Sequence, residues 1–375
     1  MVDRPTAAGQ ALGFYSPEKA QPRDARTIGA AMQRWMALRL PAARDVQIGG
    51  VEVPAANGVA NETVLFDATW HDRRGRHTRG FVARIATRDR LFPDVDIALQ
   101  CRMYRTLAEV PEVPVPAIIG EEDDPSLLDA PFYVMERIDG LVPSDRPHYS
   151  FAGWLVDAPP TQRERVWRSA VETLAAIHAV GIGRVDFLAR PDLGASGLDQ
   201  ALTAWRRYVD GETVRRPVPV IEAGWEWLLA HRPAPATGLA WGDARISNMI
   251  FRDARCVAVL DWDMVSLAGP ETDLGWWILQ DQGSARRLPG FGTLRDTICL
   301  WEELSGRPAR DLRWHVAFNA FRLGAIRMRL ARQMAAGGVD TPDLARNNVA
   351  IQQLALLLGL TPPGPVTATL PEIDL

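Results

Sequence analysis

The sequence predicts an α+β chain in two parts: a small antiparallel sheet with a helix inserted in it, then a larger, mainly helical region. Three observations carry this. Between residues 42 and 140, apolar residues cluster in short strand-like runs separated by Gly, Pro and Asn turn markers. From about residue 161 onward the apolar spacing becomes helical. The 375 residues are 47% apolar. That is enough for about two domains, or one large two-lobed one, with a sizeable core. The expected segments are a leader and helix over 1–41, a sheet region over 42–138, and a helical region over 139–375.

Residues 1–23 read as a leader. Asp24 is expected to cap a helix over Ala25–Leu40, with Ile28, Met32, Trp35 and Met36 on one face, and Pro41 stops it. Val46-Gln47-Ile48 and Val51-Glu52-Val53 read as strand, as does Thr63–Trp70. His71–Arg79 is polar and reads as a hairpin loop around Gly75. Gly80–Ala86 is a third strand, with one charge, Arg84, inside an apolar run. A helix over Asp94–Leu107 follows. Pro111, Pro114 and Pro116 then impose an extended connection. Pro131–Ile138 reads as a further strand, ended by Asp139-Gly140. Thr161-Gln162-Arg163-Glu164 has the form of a capping box opening a helix to about Val180, closed by Gly181. Further helices are expected over 198–210, 220–231, 270–281, 293–305, 309–335 and 342–358. Short β segments are expected at Gly238–Trp241, Met249–Phe251 and Cys256–Leu260.

Composition excludes several classes of function. Among 42 Lys and Arg residues there is one lysine, Lys19. No G-x-x-x-x-G-K-[ST] run exists, so a P-loop is excluded, and a lysine Schiff base is not expected from a residue in the leader. A formal charge of −4 gives no reason to expect a nucleic-acid partner. Cys101, Cys256 and Cys299 are odd in number and far apart, which supports neither a disulfide framework nor a zinc ribbon and fits a reducing cytoplasm. The N-terminus lacks the apolar stretch of a signal peptide, and Leu354–Leu358 is too short to span a bilayer. No membrane partner is expected. Nothing in the sequence fixes an oligomeric state.

The chemistry concentrates in Leu239–Trp276. Asp243 is followed five residues later by Asn248, and a strand–turn–strand leads on to Asp261. Transfer of a phosphoryl group from Mg·ATP needs a carboxylate to accept a hydroxyl proton and two oxygen ligands for the metal. An Asp-x-x-x-x-Asn loop entering a hairpin that ends in Asp supplies all three.

These residues resemble the aminoglycoside-phosphotransferase and choline-kinase-like family, which shares the protein-kinase fold, over about Val46–Trp314. Its H-G-D-x-x-x-x-N pattern is matched by Trp241-Gly242-Asp243 to Asn248, with Trp in place of His. Its D-[FW]-[DE] is matched by Asp261-Trp262-Asp263, and its D-L-[AG] by Asp273-Leu274-Gly275. The resemblance implies two lobes, a nucleotide-binding N-lobe over 42–138 and a C-lobe over 139–375 carrying catalytic loop, metal site and acceptor site. It implies Asp243 as catalytic base, Asn248 and Asp261 as Mg²⁺ ligands, ATP as the nucleotide and a small-molecule hydroxyl as acceptor. Arg245, two residues after the base, either reaches the γ-phosphate or pairs with a neighbouring acid.

The same resemblance extends to the N-terminal part. Gly58-Val59-Ala60-Asn61-Glu62-Thr63 is similar to the family's G-x-S-N-x-T turn over the phosphates, with Ala60 in place of Ser. Arg84 stands where kinase-like folds place a third-strand Lys. Gln100 stands near the position of the helix Glu that pairs with it. Phe132–Gly140 resembles the hinge. Met135 would line the adenine pocket, and the Glu136 carbonyl and Ile138 amide would bond the adenine edge. His178 reads as a packed core histidine. Seven arginines and one acid, Asp311, lie between Gly306 and Gly337. That balance points away from a polycationic acceptor and toward an anionic one, with CoA-linked hydroxyl compounds among those the resemblance implies. A nucleotide-binding module without transferase activity is the competing expectation, from Ala60, Gln100 and Trp241 together.

Overall fold

The computed structural model describes residues 23–371, apart from 41, 55–60, 88–89, 93–94, 214–216 and 283–284. They form two compact units. One contains the described residues up to Arg102, Ala117–Arg137 and Leu330–Thr341. The other contains Met103–Pro116, Ile138–Arg329 and the described residues from Pro342 on.

In the first unit, helix α1 (Ala25–Arg39) buries Ile28, Met32, Trp35 and Met36, the face its spacing predicts, together with Ala31. Asp24 sits at the N-cap, but its side chain accepts no backbone N–H there. Five antiparallel strands follow: β1 (Arg44–Glu52), β2 (Asn61–Asp72), β3 (Gly75–Ala86), β4 (Ile118–Glu122) and β5 (Phe132–Glu136), in the order β1-β2-β3-β5-β4. The two short runs expected around Val46 and Val51 are one strand, irregular in register between Gly49 and Glu52. His71–Arg79 is not a loop. β2 and β3 pair as far as Asp72 and Gly75, so the turn is Arg73-Arg74. Val64, Phe66, Ala68, Phe81, Ala83, Ile85 and Val134 are buried, and Trp35 packs edge-on against Phe132 at 5.4 Å. Strand β4 has no counterpart in the sequence-based expectation. Its edge-on position suits a stretch with two acids, and Glu122 accepts the Trp35 indole N–H at 3.1 Å. Helix α2 (Ile97–Leu107) carries Gln100.

The second unit is mainly helical. After a single turn, α3 (Trp154–Asp157), helix α4 (Pro160–His178) starts on a proline at its first position, with Pro159 as N-cap. The expected capping box at Thr161 is not formed: Thr161 lies inside the helix, and no side chain caps its N-terminus. Next come α5 (Gly197–Thr213), α6 (Pro219–Ala230), the hairpin β6 (Met249–Arg252) and β7 (Arg255–Val259), α7 (Pro270–Trp276), α8 (Leu294–Ser305) and α9 (Leu312–Ala336), whose C-terminal end belongs to the first unit. Gly238–Trp241 makes isolated bridges to Ala268 and Ser266 rather than a strand. The expected 270–281 helix ends at Trp276 and continues as a π-helical turn over Trp277–Asp281. The expected 342–358 helix breaks into α10 (Pro342–Arg346) and α11 (Val349–Leu358), because Asn348 leaves the helix to cap the second piece, accepting from the N–H groups of Ala350 and Ile351. The three cysteines are free. Among the described residues no helix is long and apolar enough to cross a membrane.

Candidate active site

In the second unit, the candidate catalytic segment is built on a tight hairpin. Asp253 and Ala254 both take left-handed φ (51° and 63°), the conformation of a two-residue turn between β6 and β7. The pairing of Met249 with Val259 closes the open end, and the Leu260 N–H bonds the Asn248 carbonyl at 2.9 Å. Asn248 and Asp261 are thereby brought side by side from opposite arms. Asp261 itself is left-handed, φ 60°. The Asn248 amide nitrogen donates to the Asp243 carbonyl (3.0 Å) and to Asp243 Oδ2 (2.9 Å). Asp243 and Asn248 are therefore hydrogen-bonded to each other, and Asp261 directly follows the residue that bonds the Asn248 carbonyl.

The Asp243 carboxylate takes two more donors. Arg245 Nη2 reaches Oδ2 at 2.9 Å and the Trp276 indole N–H reaches Oδ1 at 2.8 Å. Arg245 Nε lies 2.8 Å from Oδ1 but lacks the alignment of a hydrogen bond. Arg245 also bonds Asp145 at 2.7 Å. Burial would lower its guanidinium, but Asp243 and Asp145 hold it above the ordinary arginine range. In this structure Arg245 is paired with two acids, Asp243 and Asp145.

Residues 273–281 hold the segment 241–246. Asp273 accepts from the N–H groups of Trp241 (2.6 Å) and Gly242 (2.8 Å). Trp276 bonds Asp243. Asp281 accepts from the Ile246 N–H at 3.3 Å and from the Tyr149 hydroxyl at 3.2 Å. In an α-helix, positions 273, 276 and 280 would share a face. The π-helical turn inserts one residue, so that position 281 takes that place. Gly275 lets this segment lie close to α9, because a Cβ there would meet the His315 backbone at 2.6 Å. Gly242, at φ +97°, leaves no room for a Cβ, which would stand 2.1 Å from the Met264 carbonyl oxygen.

Trp241, the departure from the family's His, is wholly buried, and its indole N–H is shared between the carbonyls of Leu260 (3.0 Å) and Asp261 (2.9 Å). It ties the catalytic loop to the segment carrying Asp261. His178 has a structural place: its Nδ1 accepts the Trp301 indole N–H at 2.9 Å, which puts the ring proton on Nε2, 3.0 Å from Asp273.

Asp281 yields a prediction. Burial pushes its carboxyl up to about 7 from 3.8, with the Ile246 N–H, Arg245 and Tyr149 pulling it back. A carboxyl with a raised folded pKa binds its proton more tightly in the native state. Its favourable contribution is complete below about pH 4 and is lost as pH rises to about 7. Wild-type stability should carry this fall at about 1.4 kcal/mol per unit of displacement. Asp281→Asn should flatten the slope and gain on wild type above pH 7, measured by denaturant unfolding at pH 5 and pH 8. Equal slopes in the two proteins would contradict the assignment.

In the first unit, the pairing of β2, β3 and β5 puts Thr63, Arg84 and Tyr133 in one row across the sheet. Arg84 Nη1 donates to Thr63 Oγ1 at 2.8 Å, and the Tyr133 hydroxyl donates to Gln100 Oε1 at 3.3 Å. Thr63, Arg84 and Gln100 are thus joined through Tyr133, which sequence reasoning missed; its signal was its place opposite Arg84 in the next strand. Asn61 and Met135 are buried. The Glu136 carboxylate pairs with Arg79 at 3.2 Å, leaving only its backbone for the role expected of it. Gly58 and Ala60 lie outside the described residues. Ile138 begins the second unit.

Residues 53–313 match the model of the phosphotransferase enzyme family. The chain belongs to this family. The fold agrees. A putative aminoglycoside phosphotransferase from Ralstonia eutropha superposes with a TM-score of 0.63 at 22% identity, covering 88% of this chain and 95% of that one. A GDP and kanamycin complex of an aminoglycoside 2″-phosphotransferase gives 0.58 at 12% identity, covering 87% and 98%. The sheet-plus-helix N-lobe and helical C-lobe are those of this kinase-like fold. Among curated proteins, acyl-CoA dehydrogenase family member 10 of Mus musculus is 26% identical over 290 residues, 70% of this chain and 25% of that protein. Acyl-CoA dehydrogenase family member 11 of Homo sapiens is 24% identical over 246 residues, 61% and 30%. The phosphotransferase chain therefore spans only about a quarter to a third of these relatives.

Proposed function

We propose that this phosphotransferase moves the γ-phosphoryl group of ATP to a hydroxyl of a small molecule, with Asp243 as base. The observation that carries this is Asn248 and Asp261 at the open end of the β6–β7 hairpin, with Asn248 hydrogen-bonded to Asp243. The acceptor hydroxyl gives its proton to the Asp243 carboxylate as its oxygen forms a bond to the γ-phosphorus; the bond to the bridging oxygen breaks and ADP leaves.

Asn248 and Asp261 fit Mg²⁺. With its amide nitrogen committed to Asp243, Asn248 presents its Oδ1, and Asp261 adds carboxylate oxygens, hard donors of the kind Mg²⁺ takes. Nucleotide phosphates and water would complete the coordination. Bound there, Mg²⁺ would neutralise charge developing on the phosphates.

For the nucleotide, the proposal gives Arg84, steadied by Thr63, the α- and β-phosphates, with Gln100 behind it. Asn61 is assigned to the phosphates as well, while Met135, the Glu136 carbonyl and the Ile138 amide serve the adenine. The relatives crystallised with GDP and with ADP and hygromycin B support a nucleotide here. Arg245 orients Asp243 and must release it to reach a phosphate.

Charge in the second unit favours an acceptor with an anionic group over a polycationic aminoglycoside. Arg322 is 2% exposed and donates to the Asn319 amide oxygen rather than to a carboxylate. Its guanidinium is lowered by burial to about 10, with Asp273 and Asp243 pulling the other way. Arg327 is lowered to about 10 by burial and by Arg146. Hydroxylated CoA-linked or phosphorylated metabolites meet this condition, and the names of the curated relatives point toward acyl-CoA chemistry.

The test is acceptor-dependent ADP release, with phosphorylated product identified by mass, over a panel of aminoglycosides, hydroxy acids and hydroxyacyl thioesters. Turnover on an anionic member supports the proposal. Tight Mg·ATP binding without turnover on any member would favour the nucleotide-binding module instead, a reading that rests on the neutral Gln100 in place of the acid.

A further inference from the structure

The two oxygens of the Asp243 carboxylate are not held alike. Oδ2 has two aligned donors, Arg245 Nη2 and Asn248 Nδ2, both at 2.9 Å. Oδ1 has one aligned donor among the described residues, the Trp276 indole N–H at 2.8 Å. Rotation about χ2 of Asp is soft, so Trp276 at Oδ1 sets which way the carboxylate faces together with Arg245 and Asn248 at Oδ2.

Trp276 is itself fixed on all sides. It is 2% exposed and ends α7, between Asp273 and the π-helical turn. The Arg322 guanidinium lies 5.0 Å from its ring centroid, and the same guanidinium lies 4.8 Å from the Trp205 ring and 5.7 Å from the Phe318 ring. Arg322 donates to Asn319 Oδ1 at 2.6 Å, and Asn319 in turn donates to the Thr272 carbonyl at 2.7 Å, one residue before Asp273. A cation against the face of an indole is attracted by the ring and draws electron density from it, which strengthens the N–H as a donor. Burying a cation without a direct ion pair is costly, and Arg322 is retained beside the ring that contacts the candidate base.

We propose that Trp276 is a positioning residue for Asp243, setting the direction of its carboxylate through Oδ1, and that Arg322 acts through Trp276. The inference rests on Asp243 being the base. A base must be aimed at the hydroxyl proton to act, so a loosened Asp243 lowers kcat while leaving nucleotide binding alone. The neighbouring contacts divide the remaining work: Asp273 holds the backbone of the loop at Trp241 and Gly242, and Asp281 holds it at Ile246.

The experiment uses the full chain with the acceptor on which it turns over. Trp276→Phe keeps an aromatic ring against Arg322 and removes the N–H together with part of the indole. The loss of one hydrogen bond to a charged group predicts a fall in kcat of about ten- to hundredfold. KM for nucleotide should stay near wild type. Trp276→His, which restores a ring N–H, should recover activity above the Phe variant. Incorporation of benzothienylalanine at 276 replaces the N–H by sulfur within the indole shape; it should reproduce the loss even if the Phe variant folds poorly. A wild-type kcat in the benzothienylalanine protein, with Asp243→Asn inactive, would overturn the positioning role and leave the base standing. A wild-type rate in Asp243→Asn would instead remove the base on which the inference rests.

Discussion

Asp243→Asn should leave a folded protein that binds nucleotide and transfers phosphate at least about 10²-fold more slowly, the usual contribution of a general base. The substitution is nearly isosteric, and Arg245 keeps its bond to Asp145, so the arginine is not stranded. What changes is chemical. An amide cannot take the hydroxyl proton. The amide must also present an NH₂ either toward the Trp276 N–H at Oδ1 or toward the Arg245 and Asn248 donors at Oδ2, so some local loosening accompanies the lost base. Measuring nucleotide Kd by calorimetry together with kcat separates the two effects. An unchanged Kd with a collapsed kcat is the expected pair of results. A rate within a few-fold of wild type would show that proton removal does not run through Asp243.

The sequence made the site more legible than its supports. Asp243, Asn248 and Asp261 stand out because metal-assisted phosphoryl transfer demands oxygen donors at set separations, and a five-residue gap followed by a hairpin is a local pattern. Trp276 and Tyr133 did not stand out, because their roles depend on pairing: Trp276 meets Asp243 from 33 residues away, and Tyr133 joins Gln100 to the Arg84 row across the sheet. The π-helical turn was invisible for a related reason. Residues 277–281 are almost all buried, so no polar face marks the slip in register that turns Asp281 toward the loop. In the fold, the errors sit where burial gives no period. The β2–β3 hairpin runs into polar sequence at its tip, β4 is five residues long after a proline-rich connection, and the break at Asn348 is made by one side chain choosing a cap over a helix interior.

The largest expected loss of stability belongs to Asp273. Its carboxylate is fully buried and accepts three N–H groups: Trp241 and His178 on Oδ2, Gly242 on Oδ1. His178 cannot evade by changing tautomer, because its Nδ1 is taken by the Trp301 indole. Asp273→Ala orphans all three donors, and each buried unsatisfied donor costs about 1–3 kcal/mol. The total approaches the whole margin of a typical domain, about 5–15 kcal/mol. Asp273→Asn is informative because it keeps the shape. With its NH₂ at the Oδ1 position it faces the Gly242 N–H; with the NH₂ at Oδ2 it faces two donors instead of one. Either orientation leaves a donor–donor contact against the backbone of the residues just before Asp243. The Asn variant should therefore lose less stability than Ala in denaturant unfolding, yet still lose kcat, because the loop that aims the base has shifted. If Asp273→Asn unfolds and turns over like wild type, the carboxylate is not what holds residues 241–242, and the loop must be set by the Trp241 indole and the hairpin alone.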